Sequence, residues 1–106
     1  MVKLRTGRPD PVIKKINAAL ERYQAAHPQA EIEIYRQNSV SVRIRIIDPR
    51  FTRLSRTERE QEIWAEFDQL SEDVVAEISL LLLLTPKEAK KSLASSEFDN
   101  PIPSRL

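Results

Sequence analysis

A chain of 106 residues, 41% hydrophobic and 31% charged, is long enough for one domain with a single core. Its net charge is +1 and it has no cysteine, which excludes disulfides, cysteine catalysis and an iron–sulfur cluster held by its own thiolates. No apolar run approaches the ~20 residues a membrane span needs, and a chain without cysteine has the cytosol as its default setting.

Residues 1–9 hold the only glycine, Gly7, with Lys3, Arg5 and Arg8. They read as a flexible arm, and no apolar stretch follows the basic residues as a secretory signal requires. Asp10-Pro11 is an N-cap with proline at the first helical position. Val12, Ile13, Ile16, Ala19, Leu20, Tyr23 and Ala26 then form a helical stripe that His27-Pro28 closes.

Glu31 to Tyr35 and Val40 to Ile46 alternate with period two, so two strands follow, each with one buried face of even-numbered residues. A three-residue loop, Gln37-Asn38-Ser39, keeps both apolar sets on one face, with Asn38 in the left-handed region. That register sets Glu33 opposite Arg43 and Glu31 opposite Arg45.

Asp48-Pro49 breaks the strand. Ser55-Arg56-Thr57-Glu58 is a capping box, and Ile63, Trp64, Phe67 and Leu70 lie on the core stripe of the helix it starts. After a short step at Ser71-Glu72-Asp73 comes a third strand, Ile78-Ser79-Leu80-Leu81-Leu82-Leu83-Leu84. Thr85-Pro86-Lys87-Glu88 caps a last helix. Residues 96–106, with Asn100-Pro101-Ile102-Pro103, read as a loose tail.

The expected fold is α+β: a single two-layer domain over residues 10–95, in the order helix, strand, strand, helix, strand, helix. Its three-stranded mixed sheet carries helices on one face, with the second and third strands parallel through a crossover.

Charge is unevenly spread. Residues 36–59 hold seven arginines against Asp48 and Glu58, a surplus of +5, and residues 60–77 hold seven acids and no Lys or Arg. Such a chain can attract opposite charge or neutralise itself on folding. The acids read as a solvated face, although Glu62 and Glu66 share a helix side.

Several landmarks resemble the BolA-like family, whose fold is similar to the type II KH domain. They are Phe51 after the second strand, Ser55-Arg56-Thr57-Glu58-Arg59 followed by Ile63-Trp64, and an apolar strand ending in Thr85-Pro86-Lys87-Glu88. The resemblance covers roughly residues 10 to 95 and implies that fold. It also implies histidine or cysteine ligands used in iron–sulfur cluster sharing with monothiol glutaredoxins. This chain has Ser39 and Ser41 in the hairpin, Glu60 after the helix-start arginine, and Glu77 (or Ala76) at the head of the third strand. Serine and carboxylate replace poorly the thiolate and imidazole such a site wants, so the resemblance carries the fold without the cluster chemistry.

No nucleophile–base pair, phosphate-binding glycine loop or ligand cluster is present, so no catalytic residue, metal site or cofactor is expected. His27 stands alone at a helix end and reads as structural. Alternation puts Ile78, Leu80, Leu82 and Leu84 on the core face and Ser79, Leu81 and Leu83 on the other. A non-enzymatic domain acting by protein contact is therefore expected, with Tyr35, Arg43, Arg45, Leu81 and Leu83 meeting an unknown protein partner or a second copy. The alternative is a nucleic-acid-binding domain using Arg43, Arg45, Arg50, Arg53, Arg56 and Arg59.

Overall fold

The structure, a computed structural model, describes residues 2–5 and 9–101. Its elements are β1 (Val2–Leu4), α1 (Pro11–Ala26), β2 (Glu31–Asn38), β3 (Ser41–Ile47), a 3-10 turn (Pro49–Arg53), α2 (Arg56–Glu66), α3 (Glu72–Val75), β4 (Ile78–Leu84), α4 (Pro86–Lys91) and α5 (Leu93–Asp99).

The expected α+β class holds, but the sheet has four strands in the order β1-β2-β3-β4 rather than three. β2 and β3 are antiparallel, and each edge strand runs parallel to its neighbour. Both edges are reached through helices, α1 on one side and α2–α3 on the other, as parallel pairing demands. The extra strand lies within the expected N-terminal arm. Val2 and Leu4 stand beside Ile32 and Ile34 and extend the even-numbered apolar face.

That face and the helices make the core. Ile13, Ile16, Ala19, Leu20 and Tyr23 of α1 pack on Ile32, Ile34, Val42, Ile44 and Ile46, with Phe51, Ile63, Phe67 and Val74. Trp64 is partly buried against this core and meets the Phe67 ring edge-on at 5.5 Å. Sequence capping is realised in detail: Asp10 caps α1, and both capping boxes, at Ser55 and Thr85, are closed.

The hairpin register differs from expectation by two residues. Glu33 pairs with Arg45, Tyr35 with Arg43 and Glu31 with Ile47. The connection is Ser39-Val40, because Gln37 bulges out of β2 and Asn38 already faces Ser41. Asn38 accepts a bond from the Val40 amide at 2.9 Å, which tightens the turn with no described residue at positive φ.

A second bulge reverses the leucine strand. Val42 faces Ile78, but the next residue, Arg43, faces Leu80, so Ser79 is an extra residue on β4. One extra residue flips the faces beyond it. Leu81 and Leu83 therefore stand beside Ile44 and Ile46 and join the core, and Leu80, Leu82 and Leu84 lie on the other face beside Arg43, Arg45 and Ile47. Placing Leu81 and Leu83 on an open face is thereby corrected; Leu83 is only 8% exposed.

Helices on one face alone is corrected as well. α5, which spans the boundary of the expected tail, lies over the outer face and buries Phe98 completely.

A buried guanidinium ties the two capped helices together. Arg59 donates to the Phe51 carbonyl from Nε and Nη2 (3.1 and 2.8 Å), to the Leu83 carbonyl from Nη1 (3.0 Å), and to both Glu88 oxygens (2.7 and 3.3 Å). Hydrogen bonding to Arg59, with help from the Thr85 amide, holds the Glu88 carboxyl down at about 2. Arg59→Met leaves the Phe51 and Leu83 carbonyls without these partners, and should cost about 3–5 kcal/mol in urea unfolding. A carboxyl lowered on folding stabilises fully above its unfolded value, near 4.5, and loses that contribution as pH falls toward 2. Glu88→Gln should therefore flatten the acid limb of stability between about pH 4.5 and 2 relative to wild type.

Candidate protein-contact face

The outer sheet face has two unlike halves. Over β1, β2 and β3 it is mostly polar and aromatic, because their odd-numbered residues include Lys3, Glu31, Glu33, Tyr35, Arg43 and Arg45, with Ile47 at the end of β3. Over β4 it is aliphatic, because the Ser79 bulge turns Leu80, Leu82 and Leu84 this way.

α5 covers the polar half. The Phe98 ring lies edge-on to Tyr35 at 4.8 Å, with the Arg5 and Arg45 guanidinium carbons each 4.7 Å from its centre. Arg5 also stands 4.5 Å over the Tyr35 ring and donates to the Phe98 carbonyl. Arg45 bonds Ser95 Oγ at 2.9 Å and pairs with Asp99 at 2.8 Å and Glu33 at 3.1 Å. Arg43 donates to Glu97 at 3.0 Å and to the Tyr35 hydroxyl at 3.2 Å. Three of the five residues expected at an open interface, Tyr35, Arg43 and Arg45, do share this face, but their own chain occupies them.

The aliphatic half stays accessible at Leu80 and Leu82, which are half-buried, whereas Leu84 is buried. A groove of about 480 Å³ is lined by Leu82 and Leu84 with Arg56 from the start of α2, Lys87, Glu88 and Lys91 from α4, and Ser92 and Ala94 leading into α5. Glu88 is spent on Arg59, and Arg56, Lys87 and Lys91 make no ion pair among the described residues. Leu93, beside the groove's Ser92 and Ala94, is 88% exposed. β4 closes one edge of the sheet, with no strand beyond it among the described residues. Its Leu83 carbonyl is already taken by Arg59 at 3.0 Å, so the accessible surface is the outer face and not the backbone edge.

The arginines expected to meet phosphate are mostly engaged internally. Arg43 and Arg45 hold α5, Arg50 pairs with Glu62 at 3.0 Å and Asp48 at 3.7 Å, and Arg59 is buried on Glu88. Arg36 binds Asp10 at 2.6 Å and Glu77 at 2.9 Å, and its hydrogen bonds hold the Asp10 carboxyl below its ordinary value. Only Arg53 and Arg56 of the set make no ion pair among the described residues. Self-neutralisation thus accounts for most of the basic segment. Glu62 and Glu77 supply part of it; the other five acids of residues 60–77 make no ion pair among the described residues.

A second polar cluster lies on the opposite side of the core. The Tyr23 hydroxyl donates to the buried Asp48 at 3.1 Å, and the His27 ring stacks on Tyr23 at 4.2 Å. Burial, followed by the Asp48 charge, pushes the Tyr23 phenol up. His27 Nδ1 lies 3.0 Å from the Tyr23 carbonyl and Nε2 3.7 Å from Glu62, so it fastens α1 to α2. Among the described residues no three His, Asp or Glu side chains are gathered to hold a metal ion. At the head of β4, Glu77 is committed to Arg36.

No protein family, curated protein or solved structure matches the chain. No helix among the described residues is long and apolar enough to cross a membrane.

Sequence reasoning missed α5 because its partners lie on distant strands. Its one local signal is Ser92, which caps Ser95 at 3.0 Å. Phe98→Ala should lower stability by about 1.5–3 kcal/mol in urea unfolding, the value of a buried aromatic. An unchanged midpoint would return residues 96–99 to a loose tail.

Proposed function

We propose that this chain is a divergent BolA-like domain that acts without catalysis, by binding an extended acidic segment of another protein along the outer face of β4. The groove beside α4 carries the reading: an aliphatic floor of Leu82 and Leu84 under Arg56, Lys87 and Lys91. Apolar floor and cationic rim together suit an extended segment that alternates apolar and acidic side chains. Leu93, next to the groove and 88% exposed, adds apolar surface left uncovered by the described residues.

The BolA-like part of the reading is supported by the order of α1, β2, β3, α2, β4 and α4. It is also supported by the meeting of the two most specific landmarks, since Arg59 of the first helix-start motif grips Glu88 of the second. Both motifs then belong to the scaffold. Ser39, Ser41, Glu60 and Glu77 at the family's ligand positions favour contact over cluster sharing, and Glu77 is already neutralised by Arg36.

A partner unlike this chain is favoured over a second copy. Two such grooves related by a two-fold axis would set Arg56, Lys87 and Lys91 near their own equivalents, a like-charge arrangement. Nucleic acid is disfavoured because four of the six candidate arginines are paired with carboxylates inside the fold.

The test is a heteronuclear NMR titration with a short peptide alternating glutamate and leucine, beside its lysine–leucine counterpart and oligouridylate. The acidic peptide should shift amides of Leu82, Leu84, Lys87 and Lys91, and Lys87→Glu with Lys91→Glu should weaken it at least about tenfold. Equal binding of the lysine peptide, or shifts from oligouridylate alone, would overturn the reading.

A further inference from the structure

We propose that the site under α5 is a second docking subsite, which takes an acid–aromatic–acid segment of the partner in exchange for Glu97-Phe98-Asp99. The inference rests on the protein-contact reading above and names what continues beyond the β4 groove.

The chain's own segment shows what the site recognises. Glu97 lies on Arg43, Phe98 is clamped between Arg5 and Arg45 against Tyr35, and Asp99 reaches Arg45 at 2.8 Å and Arg5 at 3.7 Å. Two anions flank one ring, matched to three guanidinium groups and a tyrosine.

The site is built without α5. Arg43 is held by the Tyr35 hydroxyl, Arg45 by Glu33 across the strand pair, and Arg5 by the Tyr35 ring and by Glu33 at 3.4 Å. A receptor whose cations are already oriented pays little to accept a new occupant.

The present occupant is a short helix anchored at Phe98 and Ser95, with its acidic contacts toward solvent. α5 follows α4 after the single residue Ser92, buries only Ser95 and Phe98, and leaves Leu93 in solvent. Asp99 is half exposed and Glu97 a third exposed, so their ion pairs are screened by salt. Ala94 of α5 also walls the β4 groove, so lifting α5 would join groove and site into one face running from Leu82 to Tyr35.

The probe is a fluorescein-labelled peptide with the sequence of residues 92–101, titrated into the full chain. Glu97→Gln with Asp99→Asn loosens α5 and keeps the Phe98 ring, and should bind the probe at least about tenfold more tightly than wild type does. That affinity should fall with salt and vanish when the probe's phenylalanine is alanine. In wild type, α5 amides should exchange with solvent much faster than those of β3. Titrating the glutamate–leucine peptide in parallel separates the two readings, since groove binding can persist where probe binding fails. Equal probe affinity for both chains, α5 protection equal to that of β3, or displacement of the probe by oligouridylate would overturn the proposal.

Discussion

Burying one guanidinium sets the geometry on which the candidate site depends. Arg59 is 5% exposed, and each of its nitrogens donates to two acceptors. A buried cation is tolerable only with its donors satisfied and its charge balanced. The acceptors come from the 3-10 turn, the end of β4 and the first turn of α4, so satisfying one side chain fixes three segments together. Glu88 is doubly committed, because the oxygen that takes Arg59 also accepts the Thr85 amide at 2.9 Å. The placement of α4 beside β4, and hence the groove between them, follows from this one pair.

Local signals were readable in the sequence where the structure obeys local rules. Asp10, Ser55 and Thr85 cap the helices they announce. The even-numbered residues of β2 and β3 face the core as alternation requires. What escaped was set by long-range pairing or by a single extra residue. Nothing in Ile78-Ser79-Leu80 marks a bulge, because serine reads equally as a polar strand residue; yet that residue decides whether Leu81 or Leu82 is available to a partner. Val2-Lys3-Leu4 is too short to show periodicity, and its partners Ile32 and Ile34 lie a whole helix away. The Phe98 pocket draws on Arg5, Tyr35 and Arg45, which no sequence window joins.

The arginines show why charge counts alone mislead. A surplus of +5 over residues 36–59 invites a polyanion. Folding brings carboxylates from six other places to meet it: Asp10, Glu33, Glu62, Glu77, Glu88 and the Glu97–Asp99 segment. Of the cations left beside an apolar floor, Arg56 alone comes from that stretch; Lys87 and Lys91 belong to α4.

The two halves of the outer face differ in a way that bears on how a partner would bind. The β4 half offers aliphatic area with a cationic rim and can be entered directly. The β1–β3 half offers oriented guanidinium groups and a tyrosine, but only after a short helix leaves. A segment long enough for both would gain affinity in the groove first. It would then meet α5 as an intramolecular competitor at high effective concentration. Apparent affinity at the second half is reduced by the fraction of chains in which α5 is in place, so strong binding requires the partner to match the acid–aromatic–acid pattern that already sits there. Under that proposal the covering helix would act as a filter: a segment that matches the groove but lacks the aromatic would stop at Ala94.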